Sequence, residues 1–351
     1  MTRRQLLPLL TGAGALAAGF ALLALGLAFA GYDAPRALGA LWRGAFGSWD
    51  AFLSATLVRA IPLISIGLGL AIAFRAGALN IGGEGQFLVA AIAATWVGLQ
   101  VGGWPASLAV AAVLGAAMLA GALWIAFPVL LKLKFGVLEV ISTLLLNFVA
   151  EALVSYAVTG PLQEARHIYP ASDPIAASAR IPVFGGTRLH WGIVLTLLIA
   201  ALLWMGFTRT AWGFRLRAVG TGSRAAKISG RIPVQRVLGS ALLWSGALAG
   251  LAGGLEVSGV TLNLYQNLSP GYGFTAIAVA LLARLHPLGI LATGAFFGAL
   301  EAGAQGMQRD AGVPAVTVSV VEAIVIVIVL LVEARARFGW RLRTPAAEPV
   351  P

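Results

Sequence analysis

The stretch "FRAGALNIGGEGQFLVAA", residues 74–91, decides the fold. It sets Asn80, Glu84 and Gln86 among Gly77, Gly82, Gly83 and Gly85, inside one of the most apolar regions of the chain. A carboxylate in hydrocarbon is costly, so ionisable groups there face a bundle interior or a wet cavity. Clustered glycines weaken a helix and open backbone geometries closed to other residues. The expectation is a glycine-broken segment within a membrane domain.

The surrounding composition agrees. Of the 351 residues, 59% are hydrophobic and 11% charged, with mean hydropathy +0.91. A soluble domain carries about 25% charged residues. Cysteine is absent, which excludes a disulfide framework, Cys-ligated zinc and iron–sulfur clusters. His167, His190 and His286 have no metal-ligand spacing, and no cofactor is expected. The dipeptide Gly-Lys never occurs, so there is no Walker A loop, and no His-Glu-x-x-His signature is present. If ATP drives this protein, another chain binds it.

Nearly uncharged runs long enough to cross about 30 Å of hydrocarbon occur at 6–30, 52–74, 106–131, 137–159, 191–207, 237–257, 288–306 and 314–332. Shorter runs at 87–101 and 272–283 each follow a glycine-rich polar segment. The expected fold is an all-α polytopic membrane protein, a single domain over 1–351. It has about ten membrane segments, or eight if the two short ones are left out. Arg3 and Arg4 before the first run, with "AFA" at 28–30, resemble a signal peptide, but the apolar run exceeds the usual 7–15 residues; a retained first helix is expected.

Charge supplies an orientation. With both termini cytoplasmic and ten spans, inside loops hold 17 of the 24 basic residues and outside loops six, Arg59 lying within a span. The net charge of +11 is thus distributed between apolar runs, against a nucleic-acid partner. Residues 160–190 form an extracellular loop in this scheme, 208–236 a cytoplasmic loop with seven basic residues and no acid, and 334–351 a cytoplasmic tail.

An internal echo divides the chain into two pseudo-repeated halves. Asn80–Gln86 precedes a short apolar run and then Trp104–Pro105; "GYGF" (271–274) precedes another and then His286–Pro287. Paired interrupted segments in two halves point to a translocation pathway lined by broken or re-entrant helices. Gly246, Gly250 and Gly254, and Gly294 and Gly298, fall at four-residue spacing. Such faces bring helix backbones together, within one subunit or between two.

Six acids lie in or beside apolar runs: Glu84, Glu139, Glu151, Glu256, Glu301 and Glu322. Each is readable as a proton relay or as a carboxylate at a helix N-terminus or the interface. Glu322 and Arg59 sit deeper, a candidate buried pair. Glu84 has two readings: it accepts main-chain N–H groups and shapes the break, or it takes a substrate hydroxyl. In "GTGSRAAKISGRIPV", residues 222–230 read as a short helix, with Ser223 a candidate N-cap and Gly230 the stop. Ala225 and Ala226 make a small face flanked by Arg224 and Lys227. A plain basic loop and a helix that docks on a soluble partner are the two readings.

Four blocks together resemble one family: "FRAGALNIGGEGQFLVAA" (74–91), "VLEVISTLLLNFVA" (137–150), "RAVGTGSRAAKISGRIPVQRV" (217–237) and "GYGFTAIAVALLARLHPLGILATGAFFGAL" (271–300). They are similar to permease subunits of ATP-binding cassette (ABC) importers, in the branch handling nucleosides and simple sugars. The resemblance implies a plasma-membrane permease working by alternating access, itself not an enzyme. It implies a second permease subunit of a different chain, two cytosolic ATPase domains and an extracellular substrate-binding lipoprotein. Ser223, Arg224, Ala225, Ala226, Lys227 and Gly230 then match the coupling region that meets the ATPase. Many ABC importers start that motif with an acid where this chain has Ser223-Arg224. Asn80, Gln86 and Asn147 are the expected pathway residues for ribose hydroxyls and Tyr272 or Phe274 for a flat base, with Glu84 on the same pathway shaping the segment or meeting substrate. A sugar substrate, or a proton-coupled carrier using Glu84 or Glu322, are the alternatives.

Overall fold

The computed structural model describes residues 19–314 except 229, with 316, 320 and 323. Most of the expected run at 314–332, the tail at 334–351 and Glu322 lie outside the described residues, as does most of the first run. Among the described residues the chain is helical, with two isolated β-bridges and no strand. The helices are α1 (Gly19–Phe29), α2 (Ala34–Phe46), α3 (Trp49–Arg75), α4 (Gly83–Gln100), α5 (Ala106–Phe135), α6 (Glu139–Thr159), α7 (Gly192–Arg209), α8 (Ala211–Ile228), α9 (Val234–Thr261), α10 (Tyr272–Leu282) and α11 (Pro287–Ala311).

Six of these, α3, α5, α6, α7, α9 and α11, are long and apolar enough to cross a membrane. α10 is apolar but short, at 11 residues, and α1 is likewise short within the described residues. The chain divides into two units, one of residues 43–303 and one of the stretches 1–42 and 304–351. In the second, Asp33 Oδ1 accepts the Arg36 N–H at 3.0 Å and starts α2. Everything below concerns the first.

Within residues 43–303, α3 and α9 are buried along most of their length, while α5, α6 and α7 turn most of their surface outward. A helix apolar on every side belongs inside its neighbours, and α3 carries apolar or small residues from Ala60 to Ala73 almost without interruption. α9 is rich in glycine for a packing reason. At Gly246 and Gly250 its backbone meets that of α5 at Gly121 so closely that a Cβ added at Gly246 would lie 2.6 Å from Gly121 O. Gly254 meets Ala117, while Gly294 and Gly298 of α11 meet α3 at Ile64 and Ala60. The small faces read in the sequence therefore pack within this chain.

Helix ends follow local chemistry. α5 stops at Gly136, φ 69°, whose N–H donates to the carbonyls of Leu131 and Lys132, with Lys132 and Lys134 at the negative dipole end. α3 and α9 each contain one π-helical turn, Phe52–Leu57 and Val257–Thr261. The two lie at opposite sequence ends of their helices. Residues 160–191 are irregular and pack on the end of α9: Ser172 and Ile175 donate to Leu264 and Leu262 carbonyls (2.7 and 2.8 Å), and Ile181 to Ser258 (2.8 Å).

Candidate functional site

α3 ends at Arg75, and α4 begins at Gly83 after a segment without regular structure. That gap leaves main-chain groups in need of partners where water is absent. Side chains supply them. Asn80 Oδ1 accepts the Gly82 N–H and the Gln86 amide, and Asn80 Nδ2 donates to Gln86 Oε1 and Ser245 Oγ, all at 2.9 Å. Asn147 on α6 bridges the break. Its Nδ2 donates to Ile81 O at 3.0 Å, and its Oδ1 accepts the Gly85 N–H at 2.9 Å. Thr143 Oγ1 accepts the Ile81 N–H, and Glu139 Oε1 accepts the Leu79 N–H at 3.1 Å while pairing with Lys132. Asn80, Gln86 and Asn147 are each at most 1% exposed. Their polar atoms serve the chain itself.

A second break faces the first. α9 ends at Thr261, an irregular segment follows, and α10 starts at Tyr272. Gly271, φ 99°, makes the turn, and Ser269 Oγ accepts the N–H groups of Gly271 and Tyr272 at 3.1 and 3.0 Å. Glu84, in the first turn of α4, accepts the Gly273 N–H at 2.6 Å. Its carboxylate is thus at the N-terminal turns of two helices, where the macrodipoles favour an anion. A hydrogen bond of this kind is worth about 0.5–1.5 kcal/mol net. Gly273 is required, because any side chain there would overlap the Glu84 backbone.

Beside this junction lies a cavity of about 310 Å³, lined by Glu84 and Leu88 of α4, Glu151, Val154 and Ser155 of α6, and Gln266–Ser269. Gln266 Nε2 donates to Ser155 Oγ at 2.8 Å across it. Its two carboxylates and its amides suit hydroxyl and N–H donors on an uncharged solute and oppose an anion. Tyr272 is buried edge-on to Phe87, ring centroids 5.8 Å apart, while Phe274 is 42% exposed. Of the six expected pathway residues, only Glu84 lines the cavity. Ser269, Gln266 and Asn267 escaped the sequence reading, although the polar run "YQNLS" (265–269) before "GYGF" marks them. Glu151 was recognised as an acid in an apolar run but not as part of a site.

Arg59 lies within electrostatic reach of Glu256 and Glu301; its expected pairing with Glu322 falls outside the described residues. At the other candidate site, α8 is broken at Gly222 (φ −170°, ψ 78°), and Gly230 (φ 69°) follows its end. The non-helical residue is therefore Gly222, one before the expected cap Ser223. Ser223, Arg224, Ala225 and Lys227 are exposed and Ala226 is buried.

Residues 52–330 match the family described as branched-chain amino acid transport system / permease component. The chain is similar to a guanosine ABC transporter permease protein of Bacillus subtilis, 36% identical with 92% of each chain covered. It is similar to a glucose ABC transporter permease protein of Haloferax volcanii, 35% identical over 82% of this chain and 78% of that one. A nucleoside ABC transporter permease protein of Lactococcus lactis is 31% identical over 93% and 90% of the two chains.

Proposed function

The chain belongs to the branched-chain amino acid transport permease family, the membrane subunits of ABC importers that work with separate ATPase and substrate-binding chains, and from that premise we propose that it carries nucleosides inward. The observation that carries this reading is the guanosine permease relative, 36% identical with 92% of both chains covered. The glucose permease relative, 35% identical, favours a simple sugar as the second reading. Both solutes are uncharged and rich in hydroxyls, in keeping with the acid-lined cavity.

We take the protein to have about ten membrane segments, both termini cytoplasmic, with α4 and α10 as broken segments of two inverted halves. Support comes from element order: a buried helix, an irregular stretch and a helix N-terminus recur as α3–α4 and α9–α10, and the two N-termini meet at Glu84. In this orientation the cavity opens toward 160–190 and the extracellular lipoprotein, and the exposed face of 223–228 meets an ATPase. The assembly is two permeases of different chains with two ATPase domains. ATP binding closes the ATPases, α8 moves, and the pathway changes the side it faces. Glu84 accepts a substrate hydroxyl in turn with the Gly273 N–H. Asn80, Gln86 and Asn147 hold the pathway wall from behind, Tyr272 stays packed, and Phe274 offers a face for a base.

The test is uptake of labelled guanosine, uridine, glucose and leucine in cells with and without this gene, and with the partner ATPase inactivated. Guanosine or uridine uptake that needs both genes is expected. Glucose uptake alone moves the substrate to the second reading, and uptake that survives loss of the ATPase overturns the assignment of the energy source.

A further inference from the structure

The C-terminal residue of α3, Arg75, touches three other elements. Its Nε donates to Leu285 O, in the turn between α10 and α11, at 3.1 Å. Its guanidinium carbon lies 4.2 Å from the centroid of the Phe207 ring near the end of α7. Its carbonyl meets α8 at Gly220, where any side chain would overlap it, and Gly77 closes on the same glycine from the next turn. Phe207 is itself fixed: it is 1% exposed, stacks on Trp212 at 5.5 Å, and accepts a hydrogen bond at its carbonyl from Arg217 of α8. A planar guanidinium is suited to bond through its edge while stacking through its face, which an ammonium does not reproduce.

The turn that Arg75 holds is unusual. Arg284 and Leu285 are successive non-glycine residues at φ 51° and 60°. Side chains rarely adopt that region, and it persists where surroundings over-determine it. α10 ends just before this turn and is 11 residues long. Its other end carries the Gly273 N–H bonded to Glu84. One short helix therefore joins the Arg75 contact to the broken-helix junction.

We infer that Arg75 is a positioning residue that couples α8 to the α10 half-helix, so that movement of the 223–228 segment reaches the Glu84–Gly273 contact through the Leu285 carbonyl. This rests on the proposal that 223–228 meets an ATPase. Phe207 and Gly220 form the other side of the clamp: the ring carries the guanidinium, and the bare backbone lets α8 press on the end of α3. When the 223–228 segment moves, it pulls through the Gly222 kink on the stretch holding Gly220, and the clamp draws the α10–α11 turn with it. Without Arg75, ATP turnover continues while α10 no longer follows.

The experiment reconstitutes the complete importer in proteoliposomes and measures guanosine taken up per ATP hydrolysed, with loaded binding protein present. Arg75→Met is expected to retain stimulated ATPase and lose about tenfold in uptake per ATP, the scale of one charge-assisted hydrogen bond. Arg75→Lys recovers part of it, since the carbonyl bond survives and the stack does not. Phe207→Leu, which removes the ring and keeps an apolar side chain, shifts the ratio the same way and serves where the arginine variants assemble poorly. Uptake per ATP equal to wild type in these variants overturns the inference, as does a parallel fall of ATPase and uptake with an unchanged ratio. Failure of the underlying proposal looks different: Ala225→Trp, on the exposed face of α8, then leaves the wild-type ATPase association intact.

Discussion

Glu84 illustrates what one residue does here. Among glycines in an apolar run it was open to a structural and a substrate-binding role; the structure shows the structural one, and the substrate contact belongs to the proposal. Oε2 holds α10, and the same side chain lines the cavity. His190 makes a sharper residue-scale case. It is 1% exposed, lies outside the spanning helices, and burial lowers its pKa from 6.5 to about 4. Its Nδ1 accepts the Gly192 N–H at 3.2 Å, a bond only the unprotonated nitrogen makes. The unfolded chain binds this proton below about pH 6.5 and the folded one only below about pH 4, so stability is full above pH 6.5 and falls as pH drops toward 4. The difference is worth about 3 kcal/mol. Thermal unfolding in detergent between pH 7 and 4.5 should show this loss, and His190→Gln should flatten it; a wild-type melting temperature constant over that range would refute it. Nothing in the sequence around His190 signalled burial, because Gly259, which packs on its ring, comes from α9.

Among the elements, the α5–α9 contact turns on glycine. Gly121, Gly246 and Gly250 let two main chains touch, and dispersion over such a seam replaces the hydrophobic drive that lipid removes. Gly250→Val should cost at least the 1–3 kcal/mol typical of overpacking, about, since backbone and not a mobile side chain is in the way. Gly115→Ala on α5, with open space where its Cβ would go, should be neutral or slightly stabilising. Melting temperatures of the two variants read this directly, and equal values would remove the seam from the account. The four-residue spacing of Gly246 and Gly250 was legible in the sequence, as was the helix they belong to, while Gly121 was not singled out. Which helix they face was not, since spacing marks a smooth face and leaves its partner open. The break at 76–82 was legible too, from Asn80, Glu84, Gln86 and their glycines. Of its splints, Asn147 was singled out in the sequence, through the family resemblance and as a pathway residue; Thr143 and Ser245 were not, being short polar residues in apolar runs on helices distant in sequence.

At the scale of the whole molecule, the distribution of basic residues predicts an orientation. The chain has no cysteine, so single introduced thiols report it cleanly. Gly185→Cys, exposed in the 160–190 loop, should react with an impermeant thiol reagent on intact cells, and Arg215→Cys, exposed on α8, only after the membrane is opened. The reverse pattern would invert the topology and with it the proposed docking sides. The sequence by itself determined that this is a helical membrane protein, that its helix is broken near Asn80 and that any ATP driving it is bound by another chain. Those properties are local: apolar run length, glycine content and missing motifs are read within a few turns of chain. Tertiary structure alone decided that the break at Gly83 closes on the one at Gly273, 189 residues past Glu84, and that one carboxylate and one arginine tie the two ends of α10. In an apolar interior the position of every stray polar group is set by the partner it finds, and that partner is chosen by how the helices pack.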